Sequence, residues 1–475
     1  MNSMYVTIGN AITVNQPTQE VKDYCKSYLV VDNPDYYKKQ RMGLWTGNTP
    51  EHLYLYERRG DSIIIPYGCR KWLRPLMQRN IDAAWYGAWT WEEYPDIDSF
   101  KVNYKSTIHT YDYQEEVVQA MLEAQNGIIV MPCGSGKTQT ALETVARLGL
   151  RTLWLTHTQD LLHQSMERAK TCFECDSSLF GTITGGKVDI GTGITFATVQ
   201  TMCKLDLNKY RTQWSAIIVD ECQHCCGSPT KVTQFYKVVN SLYAPYKFGL
   251  TATPDRNDGL DRSMYALLGD KIIEISNERV ADTTCPVKVV FIETGYSPKL
   301  DNVLNGDGTI NYASLVKDLT YDAERFSAID EVVSLRCKKY TIVLANRVQY
   351  LQDLKSVYEL DGKRKAICLS TLGNSKKAKE ERKEALRKLN TGEIDCIFAT
   401  YQLAAEGLDC PNLRYIVFAT PEKDRRTVMQ AVGRVARKAD GKEWGTVIDF
   451  VDSFGLFEGW RKQRIRYYRQ MGCEV

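Results

Sequence analysis

Short apolar runs of five or six residues punctuate the chain from residue 127 onward, at 127–132, 152–156, 194–198, 216–220 and 247–251. Between the first of them lie 137–148 and 158–170, where apolar side chains recur every three or four positions, as on one face of a helix. Strands that alternate with helices pair in parallel, because a parallel connection needs a long crossover, so the pattern predicts a sheet with helices on its faces. The same texture restarts after residue 340, with strands predicted at 341–345, 366–369, 394–400, 415–420 and 446–451. The first hundred residues read differently. Leu53-Tyr54-Leu55-Tyr56 and Ile63-Ile64-Ile65 flank Arg59-Gly60-Asp61, which predicts a hairpin. The stretch 276–336, with Cys285-Pro286, Ser297-Pro298 and Asn305-Gly306-Asp307-Gly308, reads as a linker and the entry into the second unit. The predicted fold is α/β, two tandem lobes (108–280 and 281–455) behind a small α+β N-terminal domain (1–107), with a basic C-terminal helix at 456–475 packed on or extending the second lobe.

The 475-residue length accommodates about three such domains. Hydrophobic residues are 43% and charged residues 25%, without low-complexity tracts, which excludes wholesale disorder and fibrous classes. No apolar run approaches the roughly 20 residues a membrane span needs. The polar first residues lack a secretory pattern, so a cytoplasmic protein is expected, with its 15 cysteines as free thiols. A net charge of +3 changes the picture only through its distribution. Residues 38–79 are locally basic, and the tail carries Arg461, Lys462, Arg464, Arg466 and Arg469 among aromatics.

The sharpest chemical signal is Met131-Pro132-Cys133-Gly134-Ser135-Gly136-Lys137-Thr138, which follows a predicted strand and opens a predicted helix. Glycines let backbone amides close around a polyphosphate at the positive end of a helix; Lys137 reaches the β and γ phosphates and Thr138 offers a hydroxyl to Mg²⁺. Met131 stands where the strict pattern has its first glycine. At the end of another strand comes Asp220-Glu221-Cys222-Gln223-His224. There Asp220 can hold Mg²⁺ and Glu221 can orient and deprotonate a water, the two requirements of phosphoryl transfer to water.

These segments, with Gly249-Leu250-Thr251-Ala252-Thr253-Pro254, Gly407-Leu408-Asp409 and Gln430-Ala431-Val432-Gly433-Arg434-Val435-Ala436-Arg437, stand in the order and approximate spacing of superfamily 2 helicases. The chain resembles their DEAH-type branch, which includes UvsW-like branch-migration helicases and XPB-like translocases, over about residues 108–455. The resemblance implies RecA-like lobes and the cofactors ATP and Mg²⁺. It places Gln114 at the adenine, Gly407 and Asp409 near the ribose and the lobe interface, and His224, Thr251 and Thr253 in coupling. Gln430, Arg434 and Arg437 would close over the γ phosphate; an arginine delivered from another lobe makes hydrolysis depend on closure, and a spacing of three would put the two arginines on one helix face.

By the same resemblance Thr158, Gly185, Thr198, Gln200, Arg347 and Thr400 fall where related enzymes grip one strand's backbone. The tail, through Arg461 and Arg464, is either a backbone-binding helix or an amphipathic cap on the second lobe. Cys172-Phe173-Glu174-Cys175 and Cys222-Gln223-His224-Cys225-Cys226 have ligand-like spacing, but the second overlaps the proposed ATP motif, so no structural zinc is expected. The sequence thus predicts an ATP-dependent DNA helicase or translocase that remodels branched DNA, a monomer and, by analogy, a phage product in a bacterial cytoplasm. An RNA-directed helicase and a nucleic-acid-binding module with a switch-like ATPase remain alternatives.

Overall fold

The computed structural model describes residues 4–82, 86–91, 100–174, 176–228, 231–254, 258–360, 362–373, 375–405 and 410–475. It divides into two compact units, Met1–Met131 with Gly136–Ile275, and Ser276–Val475 with Pro132–Ser135. The division near residue 275 precedes the expected boundary at 280.

The N-terminal part of the first unit is a five-stranded sheet in the order Glu57–Arg59, Ser62–Pro66, Ala11–Asn15, Met4–Ile8, Tyr86–Trp91. Met4–Ile8 buries alternate residues, the pattern of a sheet with one face on a core. The predicted hairpin exists, but its arms are Glu57–Arg59 and Ser62–Pro66, with Arg59 opposite Ser62. His52–Tyr54 pairs instead with Val30–Asp32. The run 53–56 cannot continue as one strand because Leu55 and Tyr56 are both buried, which breaks the alternation.

This sheet shares a core with the lobe behind it. Ala266 of the helix Asp261–Leu268 belongs to the same apolar cluster as Val6, Ile65 and Leu73. A Cβ on Gly68 would lie 2.5 Å from the amide nitrogen of Gly269, so two backbones meet there without side chains between them. Trp72 Nε1 donates to Asp270 Oδ1 at 2.6 Å. The buried ammonium of Lys247 donates to the carbonyls of Val239 and Leu242 and sits 5.3 Å from the centre of the Tyr67 ring. Burial lowers its pKa to about 7.

The rest of the first unit holds an eight-stranded sheet, in the order Lys187–Asp189, Phe180–Thr184, Ile194–Thr198, Thr152–Thr156, Ala216–Asp220, Tyr246–Thr251, Asn126–Val130, Lys271–Glu274. Only the Phe180–Thr184 and Lys187–Asp189 pair is antiparallel. Asn126–Val130, Thr152–Thr156, Ile194–Thr198 and Ala216–Asp220 are buried at every residue, which is why they read as continuous apolar runs.

The second unit holds a six-stranded, all-parallel sheet: Val287–Glu293, Gly445–Val451, Tyr415–Phe418, Thr341–Ala345, Cys396–Thr400, Ala366–Cys368. Val287–Glu293 lies in the stretch read as a linker; it is one of the two edge strands, in register with Gly445–Val451. The C-terminal helix Gly455–Gln470 buries Phe457, Trp460, Arg464 and Tyr468. Among the described residues no helix is long and apolar enough to cross a membrane. The described cysteines form no disulfides.

Candidate active site

Three neighbouring strands bring the first-lobe motifs together. Asn126–Val130, Tyr246–Thr251 and Ala216–Asp220 lie side by side in parallel, so the phosphate-binding loop, Thr251 and Asp220 all leave the same carboxyl edge of the sheet. That edge is where open α/β sheets bind ligands. Met131 N donates to Thr251 O at 3.0 Å and ties the start of the loop to the next strand.

The loop turns through Gly134 and Gly136, whose φ angles of 84° and 81° suit glycine. Gly136 caps the helix Lys137–Leu148. A Cβ there would lie 2.5 Å from Gln114 Nε2. Gln114 is buried on the helix Asp112–Ala124, where its Oε1 accepts from Tyr111 N at 3.1 Å. Ser135 Oγ donates to Pro132 O at 2.8 Å, while Cys133 and Thr138 are half-buried. Lys137 Nζ donates to Met131 O at 3.3 Å, which holds the ammonium over the loop.

Asp220 ends its strand 7% exposed. Its Oδ1 accepts from Glu221 N at 3.0 Å and its Oδ2 from Ser165 Oγ at 3.4 Å. Burial, and then the Glu221 carboxylate, push its pKa up to about 7, against the opposing pull of the Lys137 ammonium. A carboxylate so desolvated gains most from a cation, whose charge reverses both effects.

Glu221 adopts φ 51°, in the left-handed region that strains a non-glycine residue. That turn starts the short 3₁₀ helix Cys222–His224 and sends Gln223 back toward the sheet. Gln223 Nε2 donates to Glu221 Oε2 at 2.6 Å, and its Oε1 accepts from Thr251 Oγ1 at 2.7 Å. Thr251 Oγ1 in turn accepts from Thr253 N at 3.0 Å. One chain of hydrogen bonds thus joins the Glu221 carboxylate to both threonines. The 3₁₀ turn points the Gln223 side chain, one residue before His224, at Thr251. The His224 ring instead packs against His157, centroid to centroid 4.3 Å. Cys222 and Cys225 lie in the apolar core of the lobe.

Four of the residues expected on nucleic acid line one groove of about 470 Å³: Thr158, Gly185, Thr198 and Gln200, with His157 and Lys204. Thr158 caps the helix Gln159–Cys172, accepting from Leu161 N. Gly185 and Gly186, with φ of 59° and 83°, make the tight turn between Phe180–Thr184 and Lys187–Asp189. Gln200 Nε2 donates to His157 O at 2.7 Å.

In the second unit, Gln430 and Arg434 lie on the helix Arg425–Val435. Arg437 does not share that helix face: the helix ends at the cap Ala436, and Arg437 follows it. Arg347 caps the helix Val348–Tyr358, and Thr400 ends its strand. Gly407 and Asp409 fall outside the described residues. Arg464 is not a backbone contact. It is 1% exposed, and its Nε and Nη2 donate to the Asp449 carboxylate at 2.7 Å each, with Tyr468 OH on the same carboxylate at 2.8 Å. The tail caps this lobe through that buried pair. Arg461, half-buried, stacks 5.0 Å over the Phe291 ring.

Residues 107–256 match the family model described as Type III restriction enzyme, res subunit, and residues 324–439 match Helicase conserved C-terminal domain. The chain is 28% identical over 371 residues to the DNA 3'-5' translocase XPB2 of Sulfurisphaera tokodaii, covering 71% of this chain and 80% of that one. It is 27% identical over 440 residues to a protein of Acanthamoeba polyphaga mimivirus that bears the name of an ATP-dependent RNA helicase, L396, covering 89% and 77%. The fold matches the DNA-bound Type ISP restriction-modification enzyme LlaBIII at TM-score 0.55 and 16% identity, over 85% of this chain and 34% of that larger one. T4 UvsW aligns over 99% of this chain and 98% of that one, at 17% identity and a TM-score of 0.40. With a Type III restriction enzyme res-subunit lobe and a helicase C-terminal lobe in tandem, and a translocase relative across most of its length, the chain is a nucleic-acid-dependent ATPase that resembles the XPB-like translocases of helicase superfamily 2.

Proposed function

We propose that the protein hydrolyses ATP to move along DNA and that it remodels branched DNA. The observation that carries this reading is the hydrogen-bonded chain from Glu221 through Gln223 to Thr251 and Thr253, which gives the site of hydrolysis a direct mechanical output. The residues fit ATP and Mg²⁺: the loop turns through two glycines of positive φ at the start of the helix Lys137–Leu148, and the buried Asp220 carboxylate stands near Lys137. Mg²⁺, held by Thr138 and Asp220, supplies charge neutralisation of the phosphates. Lys137 binds the β and γ phosphates, Glu221 takes the proton of the attacking water, and Gln114 reads the base. Gln430, Arg434 and Arg437 complete the site on closure of the lobes, with Gly407 and Asp409 beside the ribose.

The groove at Thr158, Gly185, Thr198 and Gln200 grips one strand through hydroxyls and amides, a sequence-independent mode. Arg347 and Thr400 hold the strand from the second lobe, and residues 1–107 form an accessory DNA-binding domain. The name of the archaeal translocase favours DNA, and viral relatives favour a viral origin for this chain. The mimivirus relative's name keeps an RNA-directed helicase as the second reading. Steady-state hydrolysis with no nucleic acid, single-stranded DNA, duplex, a four-way junction and single-stranded RNA, at matched nucleotide and fixed salt, tests the proposal. Strongest stimulation by the junction supports it, and equal or greater stimulation by RNA selects the second reading.

A further inference from the structure

The N-terminal region presents an apolar tip to solvent. The helix Pro34–Arg41 ends in a turn where Met42, Leu44 and Trp45 are 61%, 53% and 80% exposed. Such a cluster has no part in any core, and large exposed apolar groups that lie together mark a binding surface.

The tip is firmly built. Asn33 caps the helix, accepting from Asp35 N at 3.2 Å, and Pro34 opens it. At the other end Gly43, at φ 63°, closes a Schellman turn: Leu44 N donates to Lys39 O at 2.9 Å and Gly43 N to Gln40 O at 3.1 Å. In that turn the residue at the Leu44 position ordinarily folds back on the helix; here it faces water. Asn33 Nδ2 donates to Pro50 O at 2.7 Å and Lys39 Nζ to Thr49 Oγ1 at 2.6 Å, which fixes the returning strand. An ion pair of Asp35 with Lys231, at 2.5 Å, anchors the arm to the first lobe. Trp45 is held as well. A Cβ on Gly47 would overlap the six-membered ring of the indole, so the ring lies over Gly47 and any larger residue there must displace it.

Charge selects the occupant. Between Lys38 and Pro50 there are three cations, Lys38, Lys39 and Arg41, and no carboxylate. An aromatic edge flanked by cations suits a stacked base with its phosphates to either side.

We propose that this tip is a wedge for the branch point of DNA, with Trp45 stacked on the last base pair before the strands part and Lys38 and Arg41 against the flanking phosphates. The inference rests on the DNA reading above, and the two fail differently. Binding is measured without nucleotide, by anisotropy at fixed salt, for a forked DNA, a blunt duplex and a single strand of equal length. A 2-aminopurine at the first paired position of the fork reports stacking. Trp45→Ala is expected to reduce the fork-to-duplex affinity ratio about tenfold, within what one aromatic–base stack contributes, and to abolish the 2-aminopurine change. Trp45→Phe keeps most of both, and Gly47→Val, which evicts the indole from its seat, reproduces Trp45→Ala. Loss of affinity for all three DNAs alike, or an unchanged ratio, overturns the wedge. Hydrolysis indifferent to every nucleic acid, with the ratio still dependent on Trp45, would instead overturn the motor reading and leave the wedge standing.

Discussion

Gln223 gives the sharpest test of how hydrolysis is linked to movement. The variant Gln223→Leu keeps the volume of the side chain but removes the amide, and with it the 2.6 Å bond to Glu221 and the 2.7 Å bond from Thr251. Thr251 is fully buried, so its hydroxyl loses its acceptor where water cannot replace it, which destabilises by roughly 1–3 kcal/mol. Glu221 is half-buried and can recruit water, so little stability is lost on that side. The loss there is one of aim. A hydrogen bond to a charged group contributes roughly 1.5–3 kcal/mol, and at about 1.4 kcal/mol per decade its absence lowers kcat by about 10- to 100-fold if it orients the carboxylate in the transition state. The assay is hydrolysis at saturating ATP, with and without single-stranded DNA, beside a thermal melt. Stimulation by DNA is expected to fall further than the basal rate, since the same amide reaches Thr251. A lowered melting temperature with kcat and stimulation both within about twofold of the parent would refute the reasoning, and Gln223 would be a packing residue.

In magnesium-free buffer, the contribution of Asp220 to stability is expected to fall as pH rises from about 4 toward 7. Asp220 keeps its proton up to about 7 when folded, while an unfolded aspartate releases it near 3.9, so the folded state binds more protons in that window, with a slope of at most ~1.4 kcal/mol per pH unit; Asp220→Asn should flatten that slope in melts across the range. Arg464→Ala leaves Asp449 buried without its cation and is expected to destabilise by roughly 3–5 kcal/mol in urea unfolding. The salt dependence of DNA affinity should not move, which separates a cap from a phosphate contact. Gly136→Ala places a Cβ 2.5 Å from Gln114 Nε2 at a φ of 81°, and an ATP titration is expected to show KM raised roughly tenfold by about 1–2 kcal/mol of strain.

Strands buried on both faces were legible almost to the residue. Thr152–Thr156, Ile194–Thr198, Ala216–Asp220 and Thr341–Ala345 stand where the apolar runs predict them. Of the two edge strands of the second sheet, Ala366–Cys368 was legible and the other was not. Val287–Glu293 buries few of its residues and follows a Cys-Pro pair that reads as punctuation. The glycine turn between strand and helix at 131–138 was legible because its geometry is local to eight residues. The bonds of Gln223 were not, since they depend on the left-handed turn at Glu221 and on a strand residue 28 positions away. Arg464 misled for a similar reason: its partner Asp449 sits on the strand beneath the helix, and in the sequence both look like solvent-facing charges.

The meeting of bare backbones at Gly68 and Gly269 bears on how such proteins can be rearranged. A shared core that counts Ala266 among its members, and an ammonium at Lys247 roofed by Tyr67, make the first strands a wall of the ATP-binding lobe. A graft that replaced residues 4–82 alone would expose apolar surface on the helix Asp261–Leu268 and open a buried cation to water. Lineages that exchange this region must therefore exchange or retune that helix with it, and inheritance of the two segments should be joint.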